Sequence, residues 1–383
     1  MVDPGDAFAG LSVILFGDFH QFPPVTRSKL ALYQPTNYNK RAMIGSNIYR
    51  QFDTVVLLEK QNRVTDRRWM ELLRNLRHGG CTGDDITVVE SLQLTNPAST
   101  LPDFSSPGWK DAILVTSRRV VKDMWNEEAL KKHSFLTGNR IYLAPAEDMI
   151  VRRHSQCTTN NQERLALAKC SADDTRRLPG LVSMSVGMRA MILLNIATEA
   201  DIANGTRGTI EEIVLDPRES ETLETDKEGR VKLQFPPSLV KFRPDLPTNV
   251  QFNGLEDGLI LITPSQTGFS INICQEGAVR REKVSRRQFA LTQAYAFTDY
   301  KSQGQTLPYV IVDLAPPPGR GAKLTPFNIY VALSRSRGRD TIRILRSFNE
   351  TLFTTHPCPL LEEEDNRLAA LAEDTKTKWN DTL

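Results

Sequence analysis

The 383 residues include 48 Lys and Arg against 46 Asp and Glu, a net charge of +2, and 40% of them are hydrophobic. That length admits two or more cores, and the charge balance leaves phosphate contact open, since such contact needs a basic stripe rather than a basic whole. No stretch approaches the roughly 18 apolar residues of a membrane span, and the first residues lack the apolar run of a signal peptide.

Five cysteines, Cys81, Cys157, Cys170, Cys274 and Cys358, lie far apart with no C-x-x-C spacing. They argue against a disulfide framework or a zinc knuckle and for a reducing compartment. The expectation is a soluble, intracellular chain with no metal site.

In chain order, "LSVILF", "TVVLL", "AILVT", "AMILL", "VIVDL" and "IRIL" read as short buried strands. Helical patterns lie between several of them, the alternation of an α/β domain with a mostly parallel sheet. Asp66 caps "RRWMELLRNLR", whose Trp69, Leu72, Leu73 and Leu76 fall at helical spacing, and "SRRVVKDMWNEEALKK" is a second such helix. From Gly187 to Gln288, short strands with Gly, Pro and charged turns suggest a small antiparallel β insert. Its loop "DPRESETLETDKEGR" reads as solvated. Alternation resumes at Phe289, and "CPLLEEEDNRLAALAEDTKTKW" reads as one amphipathic helix with a fraying end.

Four stretches could carry chemistry. "LSVILFGDFHQFPPV" places Asp18 at the carboxyl edge of a strand, where open α/β sheets bind ligands. Gln21 could there orient a water or sense a terminal phosphate, with Pro23-Pro24 stiffening the loop. A strand, a tight turn and a Pro-Pro exit without chemistry is the alternative. Arg63, between a strand and a helix, could neutralise charge on a γ-phosphate; it could equally pair with Asp66. A helical run leads into Lys301-Ser302-Gln303-Gly304-Gln305-Thr306, a loop of donors around one glycine ahead of the strand "YVIVDL". Finally Thr325 caps and Pro326 opens a helix that ends in Ser334-Arg335-Ser336-Arg337-Gly338. Its arginines could face a neighbouring domain or stay solvated at the helix end.

Taken together, these stretches resemble the Pif-like branch of superfamily 1 DNA helicases, relatives of the RecD-type enzymes. "GDFHQFPPV" is similar to G-D-x-x-Q-L-P-P-V, and "KQNRVTDRRWMELLRNLRHG" to the segment carrying an arginine finger. "LVSMSVGMRAMILLNIATEADIANGTRGTIEEIV" resembles a G-x-x-V-M-L…N…N-G-T-x-G block, "AYAFTDYKSQGQT" resembles A-x-A-x-T-x-x-K-S-Q-G-x-T, and "YVALSRSRG" the last helicase motif. The resemblance runs from Phe8 to about Leu345.

The resemblance implies RecA-like parallel sheets of P-loop NTPase type, the first domain truncated and the second carrying a small β-barrel insert. Residues 1–100 would be the remnant of the first domain. Residues 101–186 and 289–347 would form the second, 187–288 the insert and 348–383 a helical tail. Gln21, Arg63 and Arg335 would be catalytic, and Asp18, Gln21, Gly304, Gln305 and Arg335 would line the nucleotide. Lys301, Ser302, Gln303, Thr306 and Asn126 would meet DNA. ATP and Mg2+ would be cofactors, and single-stranded DNA and forks the partners of a monomer in nucleus or mitochondrion. Two departures stand out: Phe22 replaces the usual Leu, and Asp299-Tyr300 replace a frequent Ile-His. An exposed acid at Asp299 would repel phosphate, unless it merely solvates a helix face.

Phosphoryl transfer on such a core needs G-x-x-x-x-G-K-[ST] and an Asp-Glu pair. None of the 22 glycines precedes a lysine, and no Asp-Glu dipeptide occurs. The chain therefore reads as the carboxyl-terminal portion of an ATP-dependent helicase translocating 5′ to 3′, inactive alone. A catalytically dead single-strand-binding relative and a functionless mobile-element remnant are the alternatives. An unprotected "LSVILF" edge is an aggregation hazard. Residues 1 to about 100, expressed alone, are accordingly expected to be unfolded by circular dichroism.

Overall fold

Side-chain caps set where the first helices begin. Asn39 accepts hydrogen bonds from the N–H groups of Arg41 and Ala42 at the start of α1 (Lys40–Tyr49), and Asp66 does the same for Arg68 and Trp69 in α2 (Arg67–Arg77). A reciprocal capping box between Thr82 and Asp85 opens α3 (Gly83–Ser91). These elements belong to a computed structural model that describes residues 8, 10–24, 30–34, 39–152, 155–170, 174–246, 254–275, 278–316 and 323–381. Contacts divide the chain into two units, residues 1–122 with 297–383, and residues 123–296.

Beyond α3 come β1 (Ile113–Thr116) and α4 (Arg119–Thr137), within which the chain passes into the second unit. There follow β2 (Tyr142–Pro145), β3 (Glu147–Arg152), β4 (Ser155–Thr158), α5 (Asn161–Ala168), β5 (Leu181–Met184), β6 (Arg189–Ile192) and β7 (Arg207–Val214). Next are β8 (Glu224–Thr225), β9 (Val231–Lys232), β10 (Leu239–Pro244), β11 (Ile260–Ile262), β12 (Ser265–Gln275), β13 (Ala278–Gln288) and β14 (Leu291–Gln293). The chain returns to the first unit through β15 (Ala296–Thr298), then α6 (Asp299–Ser302), β16 (Val310–Asp313), α7 (Pro326–Leu333), β17 (Ile342–Ile344), α8 (Thr351–Thr354) and α9 (Pro359–Asn380).

The first unit is built on a sheet of order β15-β1-β16-β17, in which β1, β16 and β17 run parallel. Every residue of β1 and β16 is buried, the mark of a parallel sheet covered on both faces. Trp69, Leu72 and Leu76 of α2, Ile329 and Leu333 of α7, and Phe353 of α8 are also fully buried. The helical spacing read from "RRWMELLRNLR" and the Thr325 cap followed by Pro326 are both present.

The second unit is β-rich, with antiparallel order β11-β10-β7-β6-β14, antiparallel order β12-β13-β3-β4, and order β5-β2-β9-β8 with β2 and β9 parallel. Eighteen buried residues, from Leu130 to Leu291 and including Met188, Phe242 and Phe289, form one continuous core here. Arg286 of β13 is buried and bidentate to Asp148 of β3 at 2.7 Å, which ties two strands by charge.

Several sequence expectations are corrected. Leu11–Asp18 joins no described ladder, and Ile14 and Phe16 are exposed; Val56 and Leu58 behave likewise. An apolar β-branched run favours a strand only where a neighbour offers its backbone and a face to bury. Among the described residues none does so at these two segments. The helical run expected ahead of Lys301 is instead β13, β14 and β15, because residues 278–288 find a partner in β12 along their whole length. The charged loop after Val214 is not simply solvated: buried Asp216 holds Arg218, which also pairs with Glu147 and covers the Phe235 ring. The last helix also packs, with Leu361 clustering with Ala31, Tyr33 and Tyr49. Val25 of the opening stretch lies outside the described residues. No helix among them is long and apolar enough to cross a membrane.

Asp66 does two jobs, capping α2 and receiving Arg339 Nε at 2.6 Å and Nη2 at 3.1 Å. Burial alone would raise its pKa, but the hydrogen bonds from Arg339 and from the helix N–H groups hold it at about 2. An acid bound more strongly in the folded state contributes stability above its unfolded value of about 3.9 and loses it as pH falls through the folded value. Asp66→Ala is expected to cost about 2 kcal/mol at neutral pH. The difference from wild type should shrink between roughly pH 4 and 2 in urea melts.

Candidate functional site

Asp18 and Gln21 close a tight turn just beyond the extended segment. Gln21 N donates to Asp18 O at 3.2 Å, His20 N to Asp18 Oδ1 at 3.0 Å, and Gln21 Nε2 to Asp18 Oδ2 at 3.3 Å. The turn is held from outside by Arg77, the last residue of α2. Its guanidinium is bidentate to Asp18, at 2.9 and 2.8 Å, and Nη1 also donates to Tyr330 OH of α7 at 3.2 Å. Burial opposes charge on Asp18, but the hydrogen bond and charge of Arg77 outweigh it and keep the carboxyl below its ordinary range. Phe19 packs edge-on against Tyr33 and Tyr49, with ring centres 5.1 and 5.7 Å away.

The K-S-Q-G stretch forms the single turn α6 and a following loop. Gly304 sits at φ +79, a backbone setting that side chains disfavour, with open space where a Cβ would be. Gln303, Gly304 and Thr306 are exposed, whereas Ser302 is buried with its Oγ donating to Asp299 O at 2.7 Å. Asp299 is neither exposed to a ligand nor solvated, as the sequence had left open: it is 4% exposed and receives Asn328 Nδ2 at 2.6 Å. Burial pushes its pKa up, against the pull of the Asn328 hydrogen bond.

Two arginines converge on this loop. Arg63 does not pair with Asp66, which is taken by Arg339; it donates from Nε to Thr306 Oγ1 at 3.0 Å and from Nη1 to Ser334 O at 3.1 Å. Arg335 is 2% exposed and donates to Val331 O at 2.7 Å, Ser334 Oγ at 2.7 Å, Gln305 O at 3.3 Å and Ser302 O at 3.5 Å. Among the described residues neither guanidinium has a carboxylate partner. Burial, and then the charge of Arg63, pull the Arg335 pKa down to about 10. Two cations share one loop without an ion-pairing carboxylate, Asp18 acting on Arg335 only through space, and such a place favours an anion.

Asp18, Gln21, Arg63, Lys301–Thr306 and Arg335 therefore all fall in the first unit. Asn126 falls in the second, buried, with Oδ1 accepting from the N–H groups of Tyr295 and Ala296 and Nδ2 donating to Ala296 O. Three hydrogen bonds to backbone and 2% exposure keep its amide from any surface in this structure. Sequence reasoning gave no role to Arg77 and Tyr330, although both lie inside quoted motif segments, "KQNRVTDRRWMELLRNLRHG" and "YVALSRSRG". It also missed that both departures from the motif pattern meet: the rings of Phe22 and Tyr300 stack, with centres 4.1 Å apart and planes 19° apart. Two aromatic replacements in motifs far apart in sequence were the available signal.

A covered parallel sheet with such motifs at its ends matches the RecA-like α/β fold. The particular likeness is to Pif1 helicases. ATP-dependent DNA helicase PIF7 of Trypanosoma brucei brucei is 25% identical over 86% of this chain and 32% of its own length, and the Xenopus laevis PIF1 helicase is 25% identical over 89% and 42%. The Bdellovibrio bacteriovorus Pif1 helicase is 24% identical over 88% and 58%. The chain thus spans roughly a third to three fifths of these relatives. Among solved structures, Pif1 helicase from Candida albicans superposes with a TM-score of 0.54 at 21% identity, covering 94% of this chain and 69% of that one. Bacteroides Pif1 bound to single-stranded DNA gives 0.57 at 19% identity, covering 94% and 67%. No family model matches the chain.

The Phe22–Tyr300 stack links the Gln21 turn to the K-S-Q-G loop. A double-mutant cycle with Phe22→Leu and Tyr300→Ala is expected to show about 1 kcal/mol of coupling in urea melts. Additive effects would show that the stack is incidental.

Proposed function

We propose that this chain supplies the nucleotide-sensing and closing portion of a Pif1-type ATP-dependent DNA helicase that moves 5′ to 3′ on single-stranded DNA. The observation that carries this is the Arg63–Arg335 pair, two partly or fully buried cations on the K-S-Q-G loop with no carboxylate between them. Anion charge is what such a pair lacks, and the γ-phosphate of ATP would supply it as its charge spreads in the transition state. Gln21, oriented through Asp18 and Arg77, would then contact the γ-phosphate or its attacking water. Gly304 and Gln305 would lie along the nucleotide, and the exposed Gln303 and Thr306, with Lys301, toward the strand.

Ser302 and Asn126 would act indirectly, since both are buried: Ser302 would shape the loop, and Asn126 would hold the backbone leading into β15. The β-rich segment 187–288 would be the small barrel beside the DNA, sharing its sheets with β2 to β5 of residues 142–184, and the parallel sheet of β1, β16 and β17 would belong to the second RecA-like domain. ATP would come with Mg2+, for which no described carboxylate at this loop is free: Asp18 is bound to Arg77 and Asp299 to Asn328. A P-loop and an Asp-Glu pair are absent from the 383 residues, and hydrolysis at this site would call for a segment bearing both. The exposed runs at Leu11–Phe16 and Val55–Leu58 are suitable edges for it.

The test uses the purified chain with and without a supplied P-loop segment. Alone it is expected to bind single-stranded DNA with an affinity that falls steeply with salt, and to hydrolyse no ATP. With the segment, DNA-stimulated hydrolysis should appear and fall by about 10^3 in Arg63→Ala or Arg335→Ala, the usual worth of an arginine finger. Vigorous hydrolysis by the chain alone would overturn the incomplete site.

A further inference from the structure

His20 stands between Asp18 and Gln21, is 1% exposed, and has an acceptor against each ring nitrogen. Nδ1 lies 2.8 Å from the main-chain oxygen of Arg77, which can only accept, so Nδ1 carries a proton. Nε2 lies 2.7 Å from Asp365 Oδ2 of α9. A carboxylate is also an acceptor only, so a neutral imidazole would aim its lone pair at another lone pair there. The contact needs a second positive element: a proton on Nε2, or a cation bound by both atoms. His78, just past α2, adds a third donor atom, with Nδ1 3.6 Å from the same Asp365 oxygen. The three ligating atoms lie within 4.8 Å of one another.

We propose that His20, His78 and Asp365 form a site for a borderline transition-metal cation of the Zn2+ class, distinct from the Mg2+ that would accompany ATP. Two imidazoles and one carboxylate are a Zn2+ donor set, and they are too nitrogen-rich for Mg2+ or Ca2+. Bonds of about 2.0–2.2 Å place neighbouring ligand atoms of a tetrahedral ion about 3.4 Å apart, between the two contacts made by Asp365. His20 already has the support that metal-bound histidines show, its other ring N–H donating to a backbone carbonyl, which orients the ring. His78 is half exposed and leaves an entry path and a fourth position for water.

The ligands come from three places: the Gln21 turn, the end of α2, and α9. A bound ion would therefore clamp the turn, which has no sheet ladder of its own, to the last helix. The site would act by positioning Gln21, and no ligand would touch nucleotide.

Calorimetric titration of the purified full chain with ZnCl2 tests this. One equivalent is expected to bind with a micromolar or tighter dissociation constant and to raise Tm, while MgCl2 and CaCl2 at the same concentrations do neither. Co2+ should give the visible bands of a four-coordinate nitrogen–oxygen site without a thiolate charge-transfer band. His78→Asn, at an exposed position that leaves the fold intact, and Asp365→Asn should each weaken Zn2+ at least tenfold. Absence of saturable binding, a thiolate band, or affinity unchanged in both variants would overturn the proposal.

Discussion

The bidentate contact between Arg77 and Asp18 is the interaction on which the candidate site depends. Residues 11–18 make no described backbone ladder, so hydrogen bonds to a sheet cannot fix where the Gln21 turn points. Arg77 fixes it instead. Its planar guanidinium meets both carboxylate oxygens and donates to Tyr330 OH, while its main-chain carbonyl accepts from His20. Through one residue the turn is referenced to α2 and α7, both anchored in the buried core by Trp69, Leu72, Ile329 and Leu333. A lysine could supply the charge but not the fork.

From α7 the same logic extends to the loop opposite. Asn328 joins the Thr325 cap, through Oδ1, to the buried Asp299 carboxylate, through Nδ2. Arg335 closes the end of the helix onto the carbonyls of Ser302 and Gln305. The short helix α7 thus carries the cap and the amide that holds the acid of the K-S-Q-G turn, and just past its end lies the cation that faces Arg63. Asp299, which departs from the family pattern ahead of K-S-Q-G, is buried and bonded to Asn328. The Phe22–Tyr300 stack completes the link between the two motif segments.

Much of this was legible in the chain. The parallel strands β1, β16 and β17, the Asp66 and Thr325 caps, the buried stripe of α2 and the long last helix follow from periodicity and local capping, which act over a few residues. What failed did so for a physical reason. "LSVILF" and "TVVLL" have strand composition, but a strand exists only through a neighbour. The run before Lys301 was misread because β13 is long and charged, and its alternation gains meaning only against β12. Asn126 was set near the DNA strand by the family resemblance alone, and its burial is a property of how the second unit packs.

Composition, motif order and the absence of any Gly-Lys dipeptide gave by themselves the family resemblance and what the 383 residues lack, since those are statements about which atoms the chain contains. Which side chains reach one another was decided only by the tertiary structure. Arg63 rather than Arg339 faces Thr306, Asp66 goes to Arg339, and His20, His78 and Asp365 meet across up to 345 residues of chain. Such meetings depend on hydrogen-bond geometry at the 3 Å scale, which is set by how helices and strands pack, and no spacing along the chain encodes it.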